Sequence, residues 1–371
     1  MLDAKMVKIL AVGDAWVPVA TMVEYLRRDL IPFELEFITH EVEIVAPGGR
    51  GESSRLRPTV DDPLVEEYEG DPQDLIDRIG DVDILFTHVA PVTQRVLEAA
   101  PRLMAIGCTR SDPVSVNVQV ATERGIPVFH AKGRSAEPVA DYAIAMMLAV
   151  SRNICRADAF VRSGQWERYT LDPNVDCANY LTHFQGPRLA GSTVGIIGYG
   201  KIGRRVAKRL RGWDVNLLVY DPYVKDKDLE YGRKVELSTL LREAQFITIH
   251  VPPSPQTQHL IGAEQIALMR QDTYLVNTAR GSVVDQEALY EALREKRIAG
   301  AALDVYEVDP LPSNSLLLNM DNVVLTPHAA GMVTTVADVS CSLVTVNLGK
   351  FLRGESFENL INPRYTEHSA N

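Results

Sequence analysis

Residues 194–221, VGIIGYGKIGRRVAKRLRGWDVNLLVYD, constrain this chain more than any other stretch. They open on a short apolar run, VGII, of the kind that forms a strand buried on both faces. Gly198, Gly200 and Gly203 follow in G-x-G-x-x-G spacing, and Ile202, Val206 and Leu210 then share one face of a helical pattern. A second apolar run, 217–220, ends on Asp221. In a strand–turn–helix–strand setting each glycine has a task. The first allows the tight turn, the second lets backbone approach a pyrophosphate, and the third lets helix pack on strand. The helix N-terminus then faces the phosphates with free N–H groups and the positive end of its dipole. A carboxylate at the end of the second strand accepts from a ribose 2′-OH and repels a 2′-phosphate. The stretch predicts a dinucleotide-binding fold with NAD favoured over NADP. Arg204 and Arg205 read as exposed helix charges or as further phosphate contacts.

At 371 residues the chain has room for two domains, each with its own core. A net charge of −11 argues against a nucleic-acid footprint, which needs a basic face, and gives no polybasic signal for anionic membranes. No apolar run approaches the roughly 20 residues that span a bilayer. The opening MLDAKMVKILAVGDAW lacks a signal-peptide core and a small-residue cleavage site. Cys108, Cys155, Cys177 and Cys341 are scattered without a C-x-x-C pair, which fits thiols in a reducing cytoplasm better than disulfides or zinc. The expectation is a cytoplasmic protein with no metal and no nucleic-acid or membrane partner.

Taken in order, residues 1–134 read as a first α/β unit, with strand-like runs at 7–12, 35–38, 84–87, 103–106 and 126–129 and a helix around Met22, Val23 and Leu26. Residues 39–70 are polar and punctuated by Gly and Pro, and read as loop with one poor helix. Residues 139–150 are apolar nearly all round, the mark of a buried helix, and the domain crossover falls just before them. Residues 163–190 read as loop-rich. Beyond Asp221, strands are expected at 246–250, 274–277, 299–305 and 323–326, with a helix at 286–296. A long helix at 333–352 returns to the first domain by its chain position. The domain reading is 1–134 with 333–371, and 135–332. Both are doubly wound parallel-sheet α/β domains, Rossmann- or flavodoxin-like, with an active-site cleft expected between them.

Ligands of doubly wound sheets bind outside the carboxyl ends of the strands. Arg280, Asp304, Asp309 and His328 all fall at such ends. Arginine offers a planar fork that holds a carboxylate in two hydrogen bonds. A histidine beside a carboxylate is oriented as a proton donor. Together these residues fit reduction of a 2-keto acid. Arg280 binds the carboxylate and polarises the carbonyl, the nicotinamide gives hydride, and His328 gives the proton.

The chain resembles the D-isomer-specific 2-hydroxyacid dehydrogenases, in the branch that contains D-3-phosphoglycerate dehydrogenase. The match rests on TVGIIGYGKIG (193–203), VNTARGSVVD (276–285), GAALDVY (300–306) and TPHAAG (326–331), with weaker matches in ERGIPV (123–128) and VADYAIAMMLAVSR (139–152). It covers roughly residues 80–355. The resemblance implies a discontinuous substrate domain, an inserted NAD domain, and a homodimer built largely on the NAD domain. It places the catalytic arginine on Arg280, the catalytic histidine on His328, and the aspartate that tunes the site on Asp304. It assigns Gly198, Gly200, Lys201, Ile202, Gly203, Asp221, Val251, Pro252, Thr257, Thr278, Ala279, Asp304, His328 and Gly331 to the cofactor. The acid that pairs with the histidine is usually a glutamate; here its position is Asp309, one methylene shorter, with Glu307 as a second possible partner.

The substrate loop also departs from the family pattern. At 107–113 (GCTRSDP), Arg110 stands where small residues are common. Thr109 and Arg110 are candidate substrate contacts, Arg110 for a second anionic or polyhydroxylated group as in a sugar acid or phosphorylated acid. A surface arginine, or a partner for Asp112, is the plainer reading. His88 and His130 follow or end strands of the first domain and either lines the cleft or is structural; Ser135 and Glu137 sit near the hinge. The competing function is an NAD(H)-sensing scaffold resembling the C-terminal binding proteins, with little turnover.

Overall fold

The computed structural model describes residues 6–43, 62–171, 182 and 184–367. The chain divides into two compact units, Met1–Ser135 with Val333–Asn371, and Ala136–Met332.

The first unit is built on five parallel strands, β1 (Met6–Gly13), β2 (Glu34–Glu41), β3 (Ile84–Thr87), β4 (Ala105–Cys108) and β5 (Val128–His130), in the order β2-β1-β3-β4-β5. Strands β3, β4 and β5 are buried at every position, which is why they read as unbroken apolar runs. The edge strand β2 has no buried position. On one face, Ile9, Ile84, Phe86 and Phe129 pack with Met22 and Leu26 of helix Val19–Asp29 and with Val344 and Leu348 of helix Val336–Leu352. On the other, Leu10, Leu85 and Ile106 meet the short helices Pro72–Ile79, Gln94–Glu98 and Val118–Glu123. Strand order reverses between β1 and β3, the switch point where such sheets bind ligands.

The second unit carries seven parallel strands: β6 (Thr193–Ile197), β7 (Asn216–Tyr220), β8 (Arg233–Lys234), β9 (Phe246–Ile249), β10 (Tyr274–Asn277), β11 (Gly300–Leu303) and β12 (Val323–Leu325). Their order is β12-β11-β10-β9-β6-β7-β8, a dinucleotide-binding sheet extended by one strand. Its switch point lies between β6 and β9. Helix Ala136–Ser151 buries Ala140, Ala143 and Met147 against Val194, Ile196, Phe246 and Val276. Helices Leu237–Glu243, Ala263–Ala267 and Gln286–Arg294 cover the opposite face through Leu240, Leu241, Ile266, Leu289 and Leu293.

Several local expectations are corrected. The strand placed at 103–106 starts two residues later, because the Leu103 N–H still turns back to the Ala100 carbonyl, and the chain first reaches across to its neighbour strand through the Met104 N–H on the Asp83 carbonyl. Within 163–190, read as loop-rich, a helix Gln165–Leu171 follows helix Ile154–Arg162, and residues 172–181 and 183 lie outside the described residues. Residues 62–70 hold no helix, and 44–61 lie outside the described residues. The short helices of the first unit escaped the sequence because five to eight residues carry too little periodicity. Side-chain caps start them instead: Asp71 accepts from the Gln73 N–H, Thr93 from Val96 and Asn117 from Val120. Cys108 and Cys341 are free and buried, and Cys155 is free and exposed; Cys177 lies outside the described residues. Among the described residues no helix is long and apolar enough to cross a membrane.

Candidate active site

At the end of β6 the glycine turn is geometrically forced. Gly198 has φ +94, and a Cβ there would lie 2.7 Å from the His250 carbonyl oxygen. A Cβ on Gly203 would lie 2.0 Å from the Gly198 carbonyl oxygen, so no side chain fits where helix Lys201–Leu210 meets the turn. Gly200 is that helix's N-cap and gives no side-chain cap to its first N–H groups. A Cβ on Gly200 would meet nothing within 4 Å. Open space in front of uncapped amide donors suits a diphosphate.

Asp221, just past β7, ties that turn to the next strand. Its Oδ2 accepts from the Tyr199 N–H at 2.7 Å, and its Oδ1 accepts from Tyr223 and Val224 at 2.8 and 3.2 Å. A carboxylate offers about four lone-pair sites, so one remains for a ribose hydroxyl. Along the same edge, Val251 is half-buried, Pro252 is exposed, and the Thr257 hydroxyl donates to the Pro252 carbonyl at 2.7 Å, closing the turn after β9. Past β10, Asn277 accepts from the Ala279 N–H and donates to the Arg280 carbonyl, both at 3.0 Å. That pins the turn that carries the exposed residue Arg280, one of whose guanidinium nitrogens donates to the Ala279 carbonyl at 2.8 Å. Thr278 leaves its buried Oγ1 without a hydrogen-bond partner. Thr278 follows β10, on the same sheet as the glycine turn after β6, and an orphaned buried hydroxyl there suits a polar cofactor, so the residues present fit NAD.

His328 follows β12 at φ 56, a left-handed conformation that a histidine keeps only where its surroundings hold it. Asp304 does the holding. Its Oδ1 accepts from the Thr326 hydroxyl at 2.6 Å and the Ala329 N–H at 2.8 Å, and its Oδ2 accepts from the Ala330 N–H at 2.9 Å. Tyr306 adds a second staple, its hydroxyl donating to the Leu303 and Thr326 carbonyls at 3.2 and 2.9 Å. Burial, then the nearby Asp304 charge, push that phenol up to about 12, so it remains a donor. Gly331, half-buried, closes the segment.

Asp309, although a methylene shorter than glutamate, reaches the histidine: its Oδ2 lies 2.7 Å from His328 Nδ1. Glu307 pairs elsewhere, with His259 Nε2 at 2.7 Å. With Nδ1–H donating to Asp309, His328 presents Nε2 for proton exchange. Arg280, Asp304, Asp309 and His328 thus follow the adjacent strands β10, β11 and β12, whose registers pair Asn277 with Leu303 and Leu303 with Leu325.

His250 gave no functional signal in sequence, yet it sits at the switch point beside Gly198. It is buried, its Nε2 lies 3.0 Å from the Thr248 hydroxyl, and its Nδ1 has no hydrogen-bond partner. Burial alone pushes its pKa down to about 3, so the ring is neutral.

In the first unit, Thr109 is fully buried, with N–H and hydroxyl both turned to the Thr87 carbonyl at 2.9 and 3.4 Å. Arg110 spends all three guanidinium nitrogens on protein: Nε on the Asp112 carbonyl, one terminal nitrogen on the Glu67 carbonyl, the other on the Glu67 carboxylate. His88 pairs with Asp14, and His130 Nδ1 lies 2.8 Å from the Ser111 carbonyl oxygen. Of the second unit's hinge-side residues, Glu137 binds Arg205 and Arg209, which hold its carboxyl below the usual range.

Residues 144–330 match the family model described as D-isomer specific 2-hydroxyacid dehydrogenase, NAD binding domain. The chain is 39% identical over 295 residues to D-3-phosphoglycerate dehydrogenase of Methanocaldococcus jannaschii, covering 78% of this chain but only 53% of that protein. It is 39% identical to glyoxylate reductase of Korarchaeum cryptofilum, covering 78% and 85% of the two chains. Hydroxypyruvate reductase of Thermotoga maritima is 40% identical, with 69% and 80% covered. Among solved structures, the TT0316 protein from Thermus thermophilus superposes with a TM-score of 0.71 at 28% identity, over 95% of this chain and 99% of that one.

Proposed function

The chain belongs to the D-isomer-specific 2-hydroxyacid dehydrogenase family, and on that premise we propose that it interconverts a 2-keto acid and a D-2-hydroxy acid with NAD. The observation that carries this reading is that Arg280 and the Asp309-supported His328 follow β10 and β12, with β11 between them, on the unit that bears the glycine turn.

Gly198, Gly200 and Gly203, with the N–H groups of Lys201 and Ile202, would hold the diphosphate, and Asp221 would take the adenosine ribose and favour NAD over NADP. Val251, Pro252 and Thr257 wall the adenosine side, and Thr278, Ala279 and Gly331 line the nicotinamide side. Bound NADH supplies the hydride for the carbonyl carbon. Arg280 holds the substrate carboxylate in its fork and draws charge toward the carbonyl oxygen. His328 Nε2 gives its proton to that oxygen as the carbonyl becomes an alcohol, and takes it back in the reverse direction. Asp309 fixes the imidazole by Nδ1 and stabilises its protonated form, while Asp304 holds the backbone that presents it.

Oligomeric state and compartment complete the proposal: a cytoplasmic homodimer built on the NAD unit. Ile154, Val161 and Trp166 expose half of their surface on helices Ile154–Arg162 and Gln165–Leu171, an apolar face that a second copy covers.

The test is NADH oxidation against glyoxylate, hydroxypyruvate, pyruvate, phosphohydroxypyruvate and sugar-derived keto acids, with Arg280→Ala beside wild type. Turnover that falls about a thousandfold in the variant supports the reading, the size expected when a positioning and electrostatic contact is removed together. Tight NADH binding without turnover on any acid returns the chain to the sensing scaffold.

A further inference from the structure

Among the described residues of the second unit, two buried side-chain polar atoms have no hydrogen-bond partner, His250 Nδ1 and Thr278 Oγ1. Buried polar groups in folded proteins are paired, and an exception at a ligand-binding edge marks a place where a bound group completes the bonding. The two exceptions are neighbours by topology. Strands β9 and β10 are adjacent and parallel, and their last rung pairs Ile249 with Asn277. His250 and Thr278 are the next residues on each strand, so they leave the sheet at one level, at the carboxyl end where ligands of such sheets bind.

His250 is fixed from behind. Its N–H donates to the Ile197 carbonyl at 2.7 Å, which carries β9 one residue further along β6. Its ring Nε2 lies 3.0 Å from the Thr248 hydroxyl. Burial keeps the ring neutral, with its pKa pushed down to about 3, so Nδ1 and Nε2 share one proton. If Thr248 donates to Nε2, Nδ1 carries the N–H; if Nε2 donates to Thr248, Nδ1 is a bare acceptor. In both forms Thr248 accounts for Nε2 and leaves Nδ1 without a task. A phenylalanine would fill the same space without burying a ring nitrogen.

Sheet order says which part of a dinucleotide comes near. The strands run β10-β9-β6-β7. Asp221, beyond β7, suits the adenosine ribose, and the glycine turn beyond β6 suits the diphosphate. Continued in the same direction, the ends of β9 and β10 fall to the nicotinamide half, whose ribose hydroxyls and carboxamide both give and accept hydrogen bonds.

We propose that His250 is a further cofactor-binding residue: with the Thr278 hydroxyl, its Nδ1 holds the polar groups of the nicotinamide half and so fixes the ring that delivers hydride. A single enclosed water serves here as well as a direct bond, since it relays the same donor or acceptor. The assignment rests on the NAD reading above and adds to it a residue on which neither the glycine turn nor the strand-end charges depend.

The test is binding, without turnover: Kd for NADH from its fluorescence, and Kd for AMP, the adenosine half alone, by calorimetry. In His250→Phe, Kd for NADH rises about 3- to 10-fold, as for one lost hydrogen bond, while Kd for AMP stays within about twofold. Thr278→Val raises Kd for NADH by a similar factor, and the two losses combine to less than their product because they act on one group. His250→Asn sets an amide near the place of Nδ1 and recovers most of the affinity although it fills the space less well. A role in packing alone gives the opposite order, with Phe tolerated and Asn not, and overturns the assignment. Equal losses on AMP and NADH overturn it too. In wild type, the NMR resonance of His250 Nδ1, identified by its absence in His250→Asn, moves on addition of NADH and not of AMP. A wild type that binds NADH with that resonance unmoved overturns the assignment and spares the NAD reading. A wild type that binds no NADH overturns both.

Discussion

Asp304→Asn isolates the carboxylate that presents the histidine. The side chain is 1% exposed and accepts three hydrogen bonds, from the Thr326 hydroxyl and Ala329 N–H on Oδ1 and from the Ala330 N–H on Oδ2. Asparagine offers one acceptor oxygen and one NH2 group in the same space. Turned one way, the NH2 faces the Ala330 N–H; turned the other, it faces the Ala329 N–H. Either way one buried backbone donor loses its acceptor, costing about 1–3 kcal/mol, and the bonds that remain lose charge assistance of about 1 kcal/mol. The sum, about 2–4 kcal/mol, falls on residues 326–330, which hold His328 at its left-handed φ. At about 1.4 kcal/mol per factor of ten, a displaced proton donor that forfeits this energy in the transition state lowers kcat/KM roughly 30- to 1000-fold. The assay is steady-state reduction of the best keto acid, with urea unfolding measured on the same preparation. A variant with kcat/KM within threefold of wild type refutes the reasoning. So does one that loses stability but not kcat/KM, since Asp304 would then serve the fold alone.

Two further outcomes follow from the same geometry. Asp309→Asn lowers kcat about 10²- to 10³-fold by removing the 2.7 Å partner of His328 Nδ1, whereas Glu307→Gln, which loosens only His259, costs less than fivefold; the two rates measured side by side decide it. His250 makes stability fall with acid. Its pKa is near 6.5 unfolded and about 3 folded, so below pH 6.5 the unfolded chain gains a proton that the folded chain refuses. The contribution is fully present above pH 6.5 and is reduced by about 2 kcal/mol at pH 5. Urea unfolding of His250→Asn between pH 7 and 5 shows a correspondingly flatter slope, and an unchanged slope contradicts the burial argument.

The glycine turn was legible because its requirements are local. Gly203, against the Gly198 carbonyl, and Asp221, on the Tyr199 N–H, answer to contacts inside one strand–turn–helix–strand unit; only the close approach of Gly198 to the His250 carbonyl comes from beyond it. The buried strands were legible because a parallel sheet covered on both faces needs continuous apolar runs. Where the run was short, as at the two-residue β8 and the five- to eight-residue helices, the pattern was too brief, and side-chain caps start the helices instead.

Side-chain partners across strands were a different matter. Asp309 and Glu307 are two residues apart, and nothing in the sequence says which reaches His328; the fold sends one to His328 and the other to His259, 48 positions away. Arg110 stood out as an unusual cation in its loop, but the chain folds Glu67, 43 positions away, onto it. Asp304 drew attention by its place at a strand end, while its work as the anchor of Ala329 and Ala330 depends on β11 and β12 lying side by side. Sequence alone determined the two sheets, the cofactor turn and the chemical types gathered at the strand ends, since periodicity and turn chemistry act between near neighbours. Tertiary structure decided which charge meets which, because strand order and register set those distances and neither is written in the spacing of the residues themselves.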